Sequence, residues 1–142
     1  MKIRKADKKD LRKIGLLMKA EFSKPPFNEK VSIDAVLKSL NFYDKIGKIV
    51  VADIENKIVG VIVFKIEQFW EGPAIIIEDL AVVEKNKDIG KMLIDYVESY
   101  GKKKSVKHIE FLTPKKSPAV KFYEKYGYKI NKNRIYISKK IK

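Results

Sequence analysis

The spacing of apolar positions changes along this chain, and each change marks an element. Residues 2–5 alternate as a short strand. Leu11, Ile14, Leu17, Met18 and Phe22 then recur every three or four positions, which predicts a helix with one buried face, and Asp7 just ahead offers an oxygen to cap it. Pro25 and Pro26 end that helix. Ser32 is placed to cap a second, short helix that buries Val36, Leu37 and Leu40, and Gly47 marks the turn into extended chain.

β-branched and aromatic residues dominate positions 48–53 and 58–69. The polar Glu55, Asn56 and Lys57 between them predict an antiparallel hairpin. Glu71, Gly72 and Pro73 predict the next turn, leading to a strand over residues 75–83. Helical spacing returns with Ile89, Met92, Leu93, Tyr96, Val97 and Tyr100, and closes at Gly101 and a lysine run. Residues 107–112 predict a strand and residues 117–126 a short helix stopped by Gly127. Residues 128–130 and 135–138 predict a final hairpin.

The crossover from residue 75 to 112 demands parallel neighbours inside an otherwise antiparallel sheet. The predicted fold is therefore α/β in the α+β sense. It is one domain over residues 1–142, with a mixed, mostly antiparallel twisted sheet of six to seven strands and about four helices on both faces.

Composition narrows the chemistry. At 142 residues and 45% hydrophobic, the chain can build one core. With Cys 0 there is no disulfide, thiolate nucleophile or cysteine-held metal, and His108 is the single histidine, so a Ser-His-Asp hydrolase is not expected. No metal is expected. Apolar runs fall short of the roughly 20 residues that cross a bilayer, and the charged N-terminus lacks the apolar core of a secretion signal, so a cytoplasmic protein with no membrane partner is expected. The net charge of +14, carried by lysines except at Arg4, Arg12 and Arg134, favours anionic partners, nucleic acid among them. A lysine-rich composition equally suits an AT-rich genome or adaptation to heat.

The strand over 75–83 runs through a basic loop directly into the helix from Ile89. The first amides of a helix lack intrahelical partners and sit at the positive end of its dipole, so an anion placed there meets free donors and favourable charge. Lys85, Lys87 and Lys91 add countercharge. No Gly-x-x-x-x-Gly-Lys-Ser/Thr or Gly-x-Gly-x-x-Gly string occurs, which argues against a P-loop or a dinucleotide site.

Ala119, Phe122, Tyr123, Gly127 and Tyr128 fit the pattern Asn-x-x-Ala-x-x-Phe/Leu-Tyr-x-x-x-Gly-Phe/Tyr. With the loop ahead of Gly90 and the order of elements, the chain resembles the GCN5-related N-acetyltransferases (GNAT) over nearly its whole length. The family's loop pattern is Gln/Arg-x-x-Gly-x-Gly/Ala. Here Lys85 takes the first position, Asp88 stands at the first glycine, the loop is about two residues short, and Lys116 replaces the Asn of the later pattern. A carboxylate at residue 88 would repel pyrophosphate unless it turns away, for instance to cap the helix. Trp70, Glu71 and Gly72 with Glu78, Asp79 and Leu80 are locally similar to the polyamine and thialysine acetyltransferases, in which an acidic pair lies near the amine site.

The resemblance implies acetyl-CoA as cosubstrate and direct transfer of acetyl to a primary amine, either on a small molecule or on a protein N-terminus or lysine. Leu80, Ala81 and Val82 would offer backbone donors to the oxyanion and line the cofactor. Lys85, Asn86, Lys87, Asp88, Ile89, Gly90 and Lys91 would surround the pyrophosphate, with Lys116 and Ala119 further along the cofactor. A bulge that splays the strand over 75–83 from the strand over 107–112 would admit the pantetheine arm.

Tyr123 takes the place of the general acid, unless it is an ordinary packed aromatic. Glu78 is the candidate base on the family resemblance, with Asp79 as its rival, since neighbours in a regular strand point to opposite faces, unless the acid is simply paired with a surface lysine. A polyamine-like acceptor would need a locally acidic pocket around Glu67, Glu78 and Asp79. The alternative function is a GNAT-fold binding module, catalytically impaired at Asp88 and Lys116, that holds RNA or an acidic partner on its basic surface. Strand edges at the C-terminal hairpin leave room for a homodimer.

Overall fold

The computed structural model describes residues 1–83 and 88–142. These fall into two compact units, Met1–Leu112 and Thr113–Lys142.

The first unit holds a five-stranded sheet in the order β1 (Lys2–Lys5), β2 (Lys48–Ile54), β3 (Lys57–Phe69), β4 (Gly72–Val82) and β5 (His108–Glu110). The first four strands run antiparallel to their neighbours, and β5 lies parallel to β4, as the crossover requires. Both hairpin loops are tight. Glu55 and Asn56 take positive φ of 49° and 68° at the β2–β3 turn, a conformation that suits its right-handed twist. Phe69 pairs with Gly72, so Trp70 and Glu71 make the β3–β4 loop, and the predicted Gly72-Pro73 turn is already strand.

Helix α1 (Leu11–Phe22) and helix α2 (Ile33–Ile46) cover one face of the sheet. Their contact with the sheet is the core of Leu11, Ile14, Met18, Leu40, Ile49, Val51, Val61, Val63 and Ala81. The predicted faces hold, with Leu17, Phe22, Val36 and Leu37 packed at the margin. The second helix is longer than its short apolar row suggested. Ser32 caps it, its hydroxyl accepting the Ala35 N–H at 3.1 Å.

Helix α3 (Ile89–Lys103) covers the other face through the buried Ile89, Leu93, Ile94 and Val97. Its ring contact between Tyr100 and Phe64, 5.4 Å between centroids, identifies Phe64 as a residue of this face. The first turn of α3 rests on Gly60, where a Cβ would come within 2.9 Å of Ile89 Cγ2.

The N-terminus is tied down by charge. Arg4 donates to Asp10 at 2.8 and 3.3 Å and to Asp53 at 3.1 Å, and Asp10 also accepts the Asp7 N–H at 2.8 Å. This holds the Asp10 carboxyl below the usual carboxylate range, chiefly through its hydrogen bond to Arg4.

The second unit contains α4 (Ala119–Lys125), and Gly127 at φ +90° ends it as predicted. The final hairpin does not form: residues 128–142 contain no strand, and Ile135, Tyr136 and Ile137 are exposed. Two stretches of three and four residues make a marginal ribbon by themselves. Lys129, Lys132, Arg134, Lys139, Lys140 and Lys142 crowd them with like charge and no acid. Among the described residues the sheet therefore has five strands, not six or seven.

Candidate active site

Two irregularities of β4 make the site. The first lies in its pairing with β3, where Val63 faces Asp79 but the next residue, Phe64, faces Ile77, so Glu78 is one residue more than β3 matches. Val63 belongs to the core under α1 and α2, which places Asp79 on that face. Lys65 alternates with Val63 onto the same face, and its Nζ lies 3.1 Å from Glu78 Oε1 and 3.1 Å from Glu67 Oε1. Glu78 and Asp79 therefore share a face. This corrects the expectation that neighbouring acids point apart, which holds only for a regular pleat.

The surroundings of the two acids differ. Glu78 is held by Lys65, whose ammonium is pushed up first by its hydrogen bond to Glu78 and then by that to Glu67. Tyr43 of α2 stands beside Glu78, its phenol raised by burial and then by the charge of Glu78. The Asp79 carboxylate makes no hydrogen bond or ion pair among the described residues. Burial, then the charges of Glu78 and of Glu29 from the α1–α2 connection, push its carboxyl up to about 7.

The second irregularity is on the other edge of β4. Its pairing with β5 covers only Ala74, Ile75 and Ile76, opposite His108, Ile109 and Glu110. Beyond Ile76 the parallel ladder stops, leaving the stretch that contains Leu80, Ala81 and Val82 without a β5 neighbour. β5 is half as long as predicted, and the predicted opening lies between these two strands. The bulge itself sits on the β3 side.

Asp88 precedes α3 with φ 55° and ψ 21°, the left-handed conformation a glycine would take, and its side chain makes no capping hydrogen bond. The carboxylate does not cap the helix. Ile89, Gly90 and Lys91 follow as the first turn, and the Lys91 ammonium pairs with Asp95 at 2.7 Å. Lys85, Asn86 and Lys87 lie outside the described residues.

Tyr123, Lys116 and Ala119 belong to the second unit. Tyr123 is buried among Phe122 and Tyr128, with ring centroids 5.3 and 5.2 Å away in edge-on geometry. Burial first, and Tyr128 second, raise its phenol above the ordinary value. Ala119 opens α4, its N–H donating to Ser117 Oγ at 3.2 Å, and Lys116 is exposed.

Three neighbours of the acids were not singled out from sequence: Lys65, Tyr43 and Glu29. A signal existed for Lys65, since alternation from Val63 puts Lys65 and Glu67 together on the α1–α2 face. Nothing marked Tyr43 or Glu29. A groove of about 380 Å³ between β1 and α3, lined by Ile3, Met92, Tyr96 and Tyr100, contains none of these carboxylates. No group of three or more ligating residues that could hold a metal occurs among the described residues. Among them, too, no helix is long and apolar enough to cross a membrane.

Solved structures share this fold over nearly the full length of both chains. A possible acetyltransferase from Clostridium difficile 630 superposes with a TM-score of 0.86 at 21% identity, covering 99% of this chain and 98% of that one. An aminoglycoside acetyltransferase from an uncultured soil metagenomic sample, in complex with sisomicin, gives 0.76 at 26% identity, with coverage of 99% and 96%. The aminoglycoside N-acetyltransferase AAC(6')-Iy in complex with CoA gives 0.76 at 19%, with coverage of 99% and 95%. No curated protein matches the sequence.

The class these comparisons define is that of the acetyltransferases. The model of the acetyltransferase (GNAT) family matches residues 16–128, and the chain belongs to that family. It is an N-acetyltransferase that moves acetyl from acetyl-CoA to an amine.

Proposed function

We propose that the acceptor is a small molecule bearing a primary amine and carrying positive charge, and that the two units work as one catalytic domain, as the family match across both suggests. One observation carries this reading. In a chain of net charge +14, the α1–α2 face of β3 and β4 gathers Glu67, Glu78 and Asp79, with Glu29 nearby and Lys65 as the cation among them. Such a locally acidic patch offsets the long-range repulsion that a basic protein exerts on a cationic substrate. The similar aminoglycoside acetyltransferase in complex with sisomicin supports the same substrate class.

In this reading a carboxylate of the acidic pair, Glu78 or Asp79, takes a proton from the ammonium. The freed amine attacks the thioester carbonyl, the carbon–sulfur bond breaks, and Tyr123 serves the departing sulfur. Leu80, Ala81 and Val82, left unpaired by β5, line the cofactor's acyl end. The family resemblance assigns the pyrophosphate to Asp88, Ile89, Gly90 and Lys91 at the start of α3, with Lys85, Asn86 and Lys87 just ahead of them in sequence, and assigns Lys116 and Ala119 to the cofactor as well.

Acetyl-CoA at a hundred times its dissociation constant is expected to stabilise the native protein by about 2.7 kcal/mol, raising Tm by several degrees. Thiol release on adding polyamines or aminoglycosides would follow transfer. No shift in Tm at millimolar acetyl-CoA would overturn the reading.

Asp88 gives a second test. Asp88→Gly removes a carboxylate from the mouth of the proposed pyrophosphate site and fits the left-handed backbone without a Cβ. A like charge removed at about 4 Å in bulk water is worth on the order of 1 kcal/mol. The variant is expected to bind acetyl-CoA about fivefold more tightly by calorimetric titration. Unchanged or weaker binding would place the pyrophosphate elsewhere.

A further inference from the structure

We propose that Asp79 is the group that takes the acceptor's proton, and that Lys65 is a positioning residue that pins Glu78 as a fixed negative charge beside it. This rests on the transferase reading above and names the atoms that do its first step.

The extra residue in β4 brings both carboxylates to one face, so position alone no longer chooses between them. Their contacts do. Glu78 is engaged by the Lys65 ammonium at 3.1 Å, which in turn reaches Glu67 at the same distance. The Glu78 carboxylate is therefore already engaged by a cation on its own sheet face. Asp79 has no such partner among the described residues.

Asp79 sits half-buried opposite Val63, with the core residue Ala81 two positions on. The groups that act on it are Glu78 on its own strand and Glu29 from the connection between the helices, with Tyr43 of α2 close enough to feel its charge, while Lys65 and Glu67 of β3 reach it through Glu78. Burial, and then the charges of Glu78 and Glu29, raise its carboxyl to about 7, close to the value that suits a general base at neutral pH.

The proton balance is simple. One ammonium proton passes to Asp79 Oδ and on to solvent. The amine lone pair forms the carbon–nitrogen bond, the second proton leaves nitrogen as the carbon–sulfur bond breaks, and it ends on the thiol.

Two measurements test this. In carboxyl-labelled protein followed by NMR, one aspartate should titrate near neutral pH, vanish in Asp79→Asn, move down in Glu78→Gln, and move up in Lys65→Met. This readout needs no acceptor and no turnover. An Asp79 that titrates in the ordinary carboxylate range overturns the proposal even if the enzyme is active.

In the pH profile of kcat/KM for acetyl transfer, Asp79→Asn should lose 10²- to 10⁴-fold, roughly the worth of a general base, together with the acid limb. Glu78→Gln should keep an acid limb displaced to lower pH, and Lys65→Met one displaced upward. Loss of the limb in Glu78→Gln, with its retention in Asp79→Asn, would make Glu78 the base. Thermal stability of each variant with acetyl-CoA separates a folding defect from a chemical one. A wild-type protein unmoved by acetyl-CoA would defeat the transferase reading instead.

Discussion

Tyr123→Phe is expected to lower kcat by about 10²-fold or more while leaving acetyl-CoA affinity unchanged. The substitution keeps the ring that packs against Phe122 and Tyr128 and removes one hydroxyl, so the cost in stability should be about 1 kcal/mol. Burial raises this phenol, so it stays protonated throughout the neutral range. A thiolate derived from a thiol of pKa about 8.5 is a weaker base than such a phenolate. The benefit therefore comes from hydrogen bonding to sulfur as its charge develops, with the proton following late. No alkaline limb from Tyr123 is expected below pH ~10, the ordinary value for a phenol. Stopped-flow measurement of thiol release would show the loss, and a fully active variant would remove Tyr123 from the chemistry.

Arg4→Met carries the largest expected effect on stability. Arg4 reaches two buried carboxylates, and its removal leaves both without their cation, a change that costs about 3–5 kcal/mol in comparable sites. Denaturant unfolding should show that loss with an unchanged m-value. The pH dependence gives a sharper signature. In the native protein Asp10 is held below its unfolded pKa, so its contribution is present above that value and disappears as pH falls through the depressed native one. In Arg4→Met the buried Asp10 favours its protonated form, so the variant should gain stability on acidification from neutral pH toward the carboxylate range. A variant as stable as the native protein at pH 7, or one that loses stability in parallel with it on acidification, would show that the network holds little.

Helices α1 and α3 were legible because a long amphipathic row leaves little choice of face. Leu11, Ile14 and Met18, and Ile89, Leu93 and Val97, are buried as their spacing required. Strands β2 to β4 were legible from their unbroken runs of β-branched and aromatic residues, which suit strands buried on both faces. The C-terminal hairpin was not, because Ile135 and Ile137 record a preference for extended chain, and a strand also needs a partner that no local pattern supplies.

At the site, the acidic pair itself stood out, since consecutive carboxylates are rare in an apolar strand. Its orientation did not. Residues 75–83 contain no glycine or proline to announce a bulge, and alternation then gave the wrong answer for one of the two acids. Asp88 was recognised as a departure from the family loop. Its left-handed backbone, which keeps the glycine's shape without its size, depended on coordinates.

The extra residue in β4 carries a last implication. Strike Glu78 from the ladder and every other pair keeps its partner and its side, Ile77 with Phe64 and Asp79 with Val63, as in an uninterrupted strand. The sheet would be complete without it. The chain spends a residue there that its architecture does not require, and that residue is a carboxylate set against Lys65 at the threshold of Asp79. A lineage that dropped it would keep the fold and lose the charge, so the length of this strand, more than the identity of any one side chain, would separate relatives that hold a paired acid from those that hold a single one.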